Sequence, residues 1–352
     1  MKNPAITTVD SLDGFDAIID TRSPAEFAED HLPGAINCPV LDDAQRAEVG
    51  TLYKQHSPFA ARRVGAALVS ENIARHLRTA FADQPKQWRP LVYCWRGGQR
   101  SGAMTIVLRQ VGWDARQLEG GYKAYRRRVV TELAALPLPL DFIVIGGPTG
   151  SAKSRVLQAL AERGEQTLDL EALASHKGSV LGLLPGLAQP SQKAFESALW
   201  QALGRLDPAR PVFVEAESRK IGRLQVPEVL IERMRAARCV AIDAPLEARV
   251  EFLIGDYDYM VRDPEHLIGR LDALRPLRGS EPVDGWIELV RAARWSDLVE
   301  CLLTGHYDPL YRKSQELNYR AHGAPPSVTA QRLDAAGIEA VAAAIIATHN
   351  TP

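Results

Sequence analysis

Cys94 opens the segment Cys94-Trp95-Arg96-Gly97-Gly98-Gln99-Arg100-Ser101. One cysteine, two glycines and two arginines so close together suit one kind of chemistry, a thiolate beside a bound anion. Gly97 and Gly98 tolerate the dihedrals that let successive backbone N–H groups curl into an anion-holding nest. Arg100 adds positive charge, and a helix expected to begin near Ser101 adds the positive end of its dipole. Together these features are expected to lower the Cys94 thiol from about 8.5 into the ~3.5–7.5 range of comparable sites. The thiol should then be ionised at neutral pH and reachable by a bulky donor. Cys94 is the expected nucleophile, and Arg96, Gly97, Gly98, Arg100 and Ser101 are the expected anion ligands. Cys38, Cys239 and Cys301 lie in apolar stretches and read as buried core. The four cysteines are too scattered for a disulfide framework or a zinc site.

A second constellation lies in "DFIVIGGPTGSAKSRVLQALAERG". Gly147, Lys153 and Ser154 match the G-x-x-x-x-G-K-[ST] phosphate loop, with Ala152 in place of the second glycine. Backbone amides from Gly150 through Ser151 to Ser154 would surround a phosphate at the helix N-terminus. Lys153 would neutralise it, and the Ser154 hydroxyl would ligate Mg²⁺. Alanine suits the first turn of a helix, so the cradle is expected to survive Ala152. Whether ATP or GTP binds there stays open. The buried strand "PVFVE" ends at Glu215, with Glu217, Arg219 and Lys220 in the following loop. Glu215, Arg219 and Lys220 either face metal and phosphate or belong to a surface salt-bridge network. Asp169, Glu171, His176 and Lys177 follow a third short strand, where His176 fits a structural role as well as a functional one.

Strands alternating with helices must position both loops. "FDAIID" reads as a strand ending near Asp20, and Ser23-Pro24-Ala25-Glu26 as a helix start with a capping box. "PLVYC" is a strand, and "SGAMTIVLRQVG" a helix closed by Gly112. Such alternation implies parallel sheets covered on both faces, with ligands at the carboxyl ends of strands. Residues 1–136 read as one α/β domain, and the proline-punctuated "ALPLPLDF" marks its boundary. Residues 137–255 read as a second, kinase-like α/β domain, with residues 256–352 a helical extension packed on it. The 352 residues are 46% hydrophobic and 24% charged with net charge −1, so composition carries no global signature of nucleic-acid binding. The densest local basic run is "YKAYRRRVV", with Lys123, Arg126, Arg127 and Arg128. No run approaches the ~18 apolar residues of a membrane span, and no secretory signal opens the chain. A cytoplasmic address and a monomer are expected.

"DTRSPAEF", "HLPGAIN", the Cys94 loop and "LEGGYKAY" occur in the order found in the rhodanese family, which residues 10–130 resemble. In that family the cysteine carries a chalcogen as a persulfide. Cys94 to Arg100 spans C-x5-R, one residue longer than the usual sulfurtransferase loop and shared with rhodanese-fold phosphatases. Beyond this domain and the Walker A-like loop, "VGTLYKQHSPFAARRVGAALVS", "CWRGGQRSG", "LDLEALASHKGS", "VEAESRKIG" and "YDPLYRKS" are similar to the tRNA 2-selenouridine synthase family. That resemblance implies conversion of wobble 2-thiouridine to 2-selenouridine in tRNA through an S-geranyl intermediate. It implies geranyl diphosphate at the phosphate loop, selenophosphate at the Cys94 loop, and a selanyl-cysteine on Cys94. A selenophosphate supplier would be a partner. The tRNA would meet Lys123, Arg126, Arg127 and Arg128, and Trp95 would either stack on the wobble base or pack in the core. Other readings stay open at this point. One is a rhodanese-fold cysteine phosphatase or sulfurtransferase fused to a nucleotide-binding domain, and another is a passive rhodanese sensor.

Overall fold

The computed structural model describes residues 5–179, 181–318 and 325–350. The chain divides into two compact units: residues up to Leu133 with Pro190–Gln201, and Ala134–Gln189 with the residues from Ala202 onward.

The first unit is built on a five-stranded parallel sheet. Its strands are β1 (Ile6–Thr7), β2 (Ala17–Asp20), β3 (Ala35–Asn37), β4 (Pro90–Tyr93) and β5 (Arg116–Leu118), in the order β1-β5-β4-β2-β3. Central β4 is buried at every residue. The helices are α1 (Pro24–Glu29), α2 (Asp43–Gln55), α3 (Pro58–Arg78), α4 (Gln99–Val111) and α5 (Gly121–Leu133). Ile19, Val40, Ile73, Val92, Met104 and Leu108 form the core between sheet and helices. The helix starts follow the local chemistry. Glu26 accepts the Ser23 N–H at 3.1 Å, as the capping box requires. Asp42 caps α2 by accepting the Gln45 N–H at 2.8 Å, and the Ser57 hydroxyl caps α3 by accepting the Ala60 N–H at 3.1 Å. Gly112, left-handed at φ 112°, closes α4.

The second unit opens with β6 (Phe142–Gly146), α6 (Lys153–Glu162), β7 (Gln166–Leu168) and α7 (Leu170–Ala174). The chain then contributes α8 (Gln192–Leu203), most of which belongs to the first unit. There the Ser197 hydroxyl donates to buried Asp30 at 3.1 Å, and Asp30 also accepts from the Tyr122 hydroxyl at 2.8 Å. The second unit resumes with β8 (Val212–Glu215), the antiparallel pair β9 (Lys220–Ile221) and β10 (Leu224–Gln225), α9 (Glu228–Ala236) and β11 (Arg238–Asp243). Helices α10 (Leu246–Asp256), α11 (Asp258–Arg262), α12 (Pro264–Asp272), α13 (Arg275–Arg278), α14 (Ser280–Arg291) and α15 (Trp295–Leu302) follow. A π turn at Leu303–Tyr307 leads into α16 (Asp308–Asn318), then β12 (Ser327–Thr329) and α17 (Ala335–Asn350). The parallel sheet has the order β12-β11-β6-β8-β7.

Two sequence expectations are corrected here. The C-terminal part is not purely helical, because β12 pairs with β11 and extends the sheet. A three-residue edge strand is too short to carry the alternation by which strands are recognised. Val341, Ala342 and Ile345 of α17 enter the same core as Val156, Leu157 and Leu160 of α6. Of the three cysteines expected in the core, Cys38 is buried, Cys239 half-buried and Cys301 exposed. Leu298 and Leu302 are the buried residues of α15, and Cys301 falls off their stripe.

Candidate functional site

β4 ends at Tyr93 and α4 begins at Gln99, so the Cys94 loop crosses the carboxyl edge of the sheet. The Cys94 Sγ accepts the Gly98 N–H at 3.3 Å and the Ser101 hydroxyl at 3.2 Å. Two glycines make this fold feasible. A Cβ on Gly97 (φ 63°) would stand 2.4 Å from the Leu118 carbonyl oxygen, and one on Gly121 (φ 55°) 2.3 Å from that of Cys94. The loop is thereby pressed against the turn of "LEGGYKAY". Gln117, which sequence reasoning passed over, ties it down. Its side-chain amide donates to the Gly97 carbonyl at 2.6 Å, the Gly98 carbonyl at 3.0 Å and the Ser101 hydroxyl at 2.9 Å. Since the Ser101 oxygen accepts from Gln117, its own proton is available to the sulfur. Burial opposes the thiolate. The Ser101 hydroxyl, the amides of Ser101 and Arg96 and the charge of Arg100 outweigh it and hold the thiol below its ordinary value.

Two expectations for this loop change. Cys94 is only 3% exposed, not freely open. The donors that stabilise its thiolate also enclose it, beneath the exposed residues Arg96, Gly98 and Gln99. Arg100 is not a free anion ligand: it forms a two-point ion pair with Glu26, at 2.6 and 3.3 Å. Glu26 is brought there by α1, far away in sequence. Arg100 therefore acts on the sulfur through its field. Trp95 packs on Tyr122, with ring centroids 5.2 Å apart.

The second unit holds the phosphate loop between β6 and α6. Gly147 (φ 145°) and Gly150 (φ 85°) are sterically required, since a Cβ would stand 2.4 Å from the Ser151 Oγ and 2.8 Å from the Leu253 Cδ1 respectively. Lys153 Nζ folds back to donate to the Gly147 carbonyl at 2.9 Å. The Ser154 hydroxyl donates to Glu171 at 2.8 Å, and the Glu171 N–H donates to Glu215 at 2.9 Å. The second Glu215 oxygen is buried with no hydrogen-bond partner among the described residues. Ala152 does not sit in the first helical turn as expected. It precedes the helix in the left-handed region at φ 58°, ψ 27°, a conformation that costs a non-glycine residue roughly 1–2 kcal/mol.

The loop faces a cavity of about 630 Å³ lined by Lys153, Ser154, Glu171, His176, Lys177 and Glu217. Burial, then the charge of Glu171, pushes Glu217 up to about 8. Burial and the neighbouring carboxylates also raise Glu215 and Glu171. Burial lowers Lys153, and Glu171, Glu217 and Glu215 partly offset it. Lys177 is paired with Asp256 at 2.6 Å. A second, apolar pocket adjoins the cavity, lined by Met260, Leu267, Trp295, Leu298 and Leu302. Thr149, Ser179, Leu253, Tyr257 and Tyr307 border both. The motif "YDPLYRKS" also finds a place here. Buried Arg249 donates to the Thr149 carbonyl at 2.9 Å and pairs with Asp308 at 2.6 and 3.1 Å, bracing the phosphate loop from α16.

Other expected residues lie elsewhere. Arg219 is exposed and paired with Glu228, and Lys220 is exposed on β9; neither lines the cavity. Arg219 fits the surface salt-bridge reading, whereas Glu217 and the Glu171–Glu215 pair belong to the site. Half of the basic run on α5 is also committed within its own unit. Arg126 pairs with Glu196, and Arg128 pairs with Glu132 at 2.8 Å and donates to the Val9 carbonyl at 2.6 Å. Lys123 and Arg127 remain exposed.

Residues 8–128 match a family model described as a rhodanese-like domain, and residues 140–272 match one described as the tRNA 2-selenouridine synthase AAA domain. The chain is 37% identical over 264 residues to tRNA 2-selenouridine synthase from Nitrosomonas europaea, covering 73% of this chain and 68% of that protein. It is 38% identical over 265 residues to the protein of the same name from Alcanivorax borkumensis, covering 74% and 72%. With that from Cupriavidus necator it shares 35% identity over 335 residues, covering 85% and 88%.

Proposed function

The chain belongs to the tRNA 2-selenouridine synthase family, and from that premise we propose that it converts wobble 2-thiouridine in tRNA to 2-selenouridine in two steps, one for each unit. It would do so in the cytoplasm, where its substrate is. The observation that carries this reading is the donor set around Cys94, which lowers the pKa of a thiol at a strand end below its ordinary value.

The first step alkylates the base. A thiocarbonyl sulfur is a poor leaving group, whereas an S-alkyl group departs as a thiol. Geranyl diphosphate is the alkyl donor in this reading. Its head lies on the amides from Gly150 to Ser154, with Lys153 countering the charge. The apolar pocket adjoining the cavity supports this choice, since a hydrocarbon tail on an anionic head needs that adjacency. The thiocarbonyl sulfur takes the geranyl carbon, the carbon–oxygen bond breaks, and pyrophosphate leaves. Ser154 and Glu171 offer hard oxygens 2.8 Å apart, and these fit Mg²⁺, which commonly completes its octahedron with substrate phosphates and water. Bound there, the ion would supply charge neutralisation for the leaving pyrophosphate.

In the second step the selenium of selenophosphate displaces a small thiol from a mixed disulfide of Cys94, and water takes the phosphoryl group as phosphate. The resulting selanyl-cysteine delivers selenide to C2 of the base as geranyl thiol leaves. Release from the Cys94 sulfur takes two electrons, which a free thiol supplies by forming a disulfide with it. Gly97 and Gly98 cradle the donor's phosphate, and Arg100 contributes its field. An enzyme that makes selenophosphate is the class of partner required. Mass spectrometry of tRNA nucleosides from cells with and without this chain tests the reading. A selenium-containing wobble uridine should vanish on deletion, and its persistence would refute the assignment.

A further inference from the structure

The tip of the α2–α3 hairpin plays no part in either cradle. No carboxylate occurs between Val49 and Ser70, whereas Lys54, Arg62 and Arg63 fall in that stretch. All three cations are exposed, and among the described residues none has an ion-pair partner. Two rings stand among them, Phe59 at 76% and Tyr53 at 54% exposure. Phe59 is the most exposed large apolar side chain among the described residues.

Packing does not require that ring. The buried face of α3 is Ala61, Gly65, Asn72, Ile73 and His76. Phe59 lies off this stripe and shares a face with Arg62 and Arg63, at i, i+3 and i+4. The two helices meet closely through Gly65, where a Cβ would stand 3.3 Å from Val49. Their tip is therefore a fixed platform of rings and cations. Single-stranded RNA is held by this combination, with bases stacked on aromatic faces and phosphates met by Lys and Arg.

We propose that the α2–α3 tip docks the single-stranded anticodon loop of the substrate tRNA, with Phe59 and Tyr53 stacking bases and Lys54, Arg62 and Arg63 meeting phosphates. The proposal rests on the tRNA reading above. Geometry connects the tip to the thiolate. The Asp43 carboxylate at the start of α2 accepts the Ala25 N–H at 3.1 Å, next to the Glu26 that pairs with Arg100. The 13 residues of α2 then place the tip about 20 Å from that rim, a span of a few nucleotides. An RNA presenting its target base at Cys94 can thus continue along α2.

The test uses the full chain and a labelled anticodon stem–loop RNA bearing wobble 2-thiouridine, with binding followed by fluorescence anisotropy. Phe59→Ala should weaken binding at least about fivefold, the lower end for one lost stack. The double variant Arg62→Glu, Arg63→Glu should weaken it further and lower the slope of log affinity against log salt by about 1.4, or ~0.7 per phosphate. Unchanged alkylation of Cys94 would show that both variants keep the unit folded. Variants that bind like the unaltered protein would overturn the surface alone. Failure of the unaltered protein to bind the RNA would overturn the surface and the tRNA reading together. Sedimentation as a dimer that Phe59→Ala converts to a monomer would assign the tip to a second copy and overturn the proposal.

Discussion

Whether Cys94 is a thiolate at neutral pH comes down to a few donors. Removing the hydroxyl that points at its sulfur leaves burial less opposed, and each pKa unit corresponds to about 1.4 kcal/mol. The rate of iodoacetamide alkylation against pH should therefore show a midpoint below the ordinary ~8.5. Ser101→Ala should move that midpoint up, and Gln117→Leu should do the same through the freed Ser101 hydroxyl. Profiles identical to that of the unaltered protein would show that other groups set the charge. Ala152 poses a second residue-scale question, namely why alanine is tolerated in a left-handed position. Glycine would relieve roughly 1–2 kcal/mol of strain. It would also give up a methyl group in the core, worth about 0.8 kcal/mol, and about 0.5–1 kcal/mol of backbone entropy. The opposing effects nearly cancel. Ala152→Gly should thus stay within about 1 kcal/mol of the unaltered protein in denaturant unfolding, and a gain of several would mean the strain dominates.

Elements bring together what no local pattern joins. α7 contributes Glu171, the end of β8 contributes Glu215, and the loop after it Glu217, so three carboxylates crowd one lysine. Glu217 keeps its proton to about pH 8, whereas an unfolded chain loses it near 4.3. Between those values the unfolded state holds fewer protons than the folded one, so stability falls as pH rises and the loss is complete above the folded value. Glu217→Gln removes this liability. In chelator and without diphosphate, its gain in melting temperature should be near zero around pH 4.5 and largest above pH 8, at about 2–4 °C per kcal/mol. An equal gain at both pH values would contradict the crowding. The strand–loop–helix context of both cradles was readable because each stands beside its own buried strand and glycines. The Arg100–Glu26 pair and the Arg249–Asp308 brace were not readable, because each joins residues from separate elements. β12 was hidden by its brevity.

At the scale of the molecule, the order of motifs along the chain carried the family, while composition carried little. A net charge of −1 hides a basic hairpin tip with no carboxylate between Val49 and Ser70, and the basic run that stood out in sequence turned out to be half paired. The reason is topological. α8 comes from the stretch between β7 and β8 yet supplies Glu196 to Arg126, a pairing that no local window contains. Division of labour between the units means that a single substitution at Cys94 should separate the two steps. Purified protein is incubated with 2-thiouridine tRNA, geranyl diphosphate and selenophosphate, and the nucleosides are resolved by mass. Cys94→Ser should accumulate the S-geranyl nucleoside and form no 2-selenouridine. Formation of 2-selenouridine by that variant would contradict the role of the thiolate.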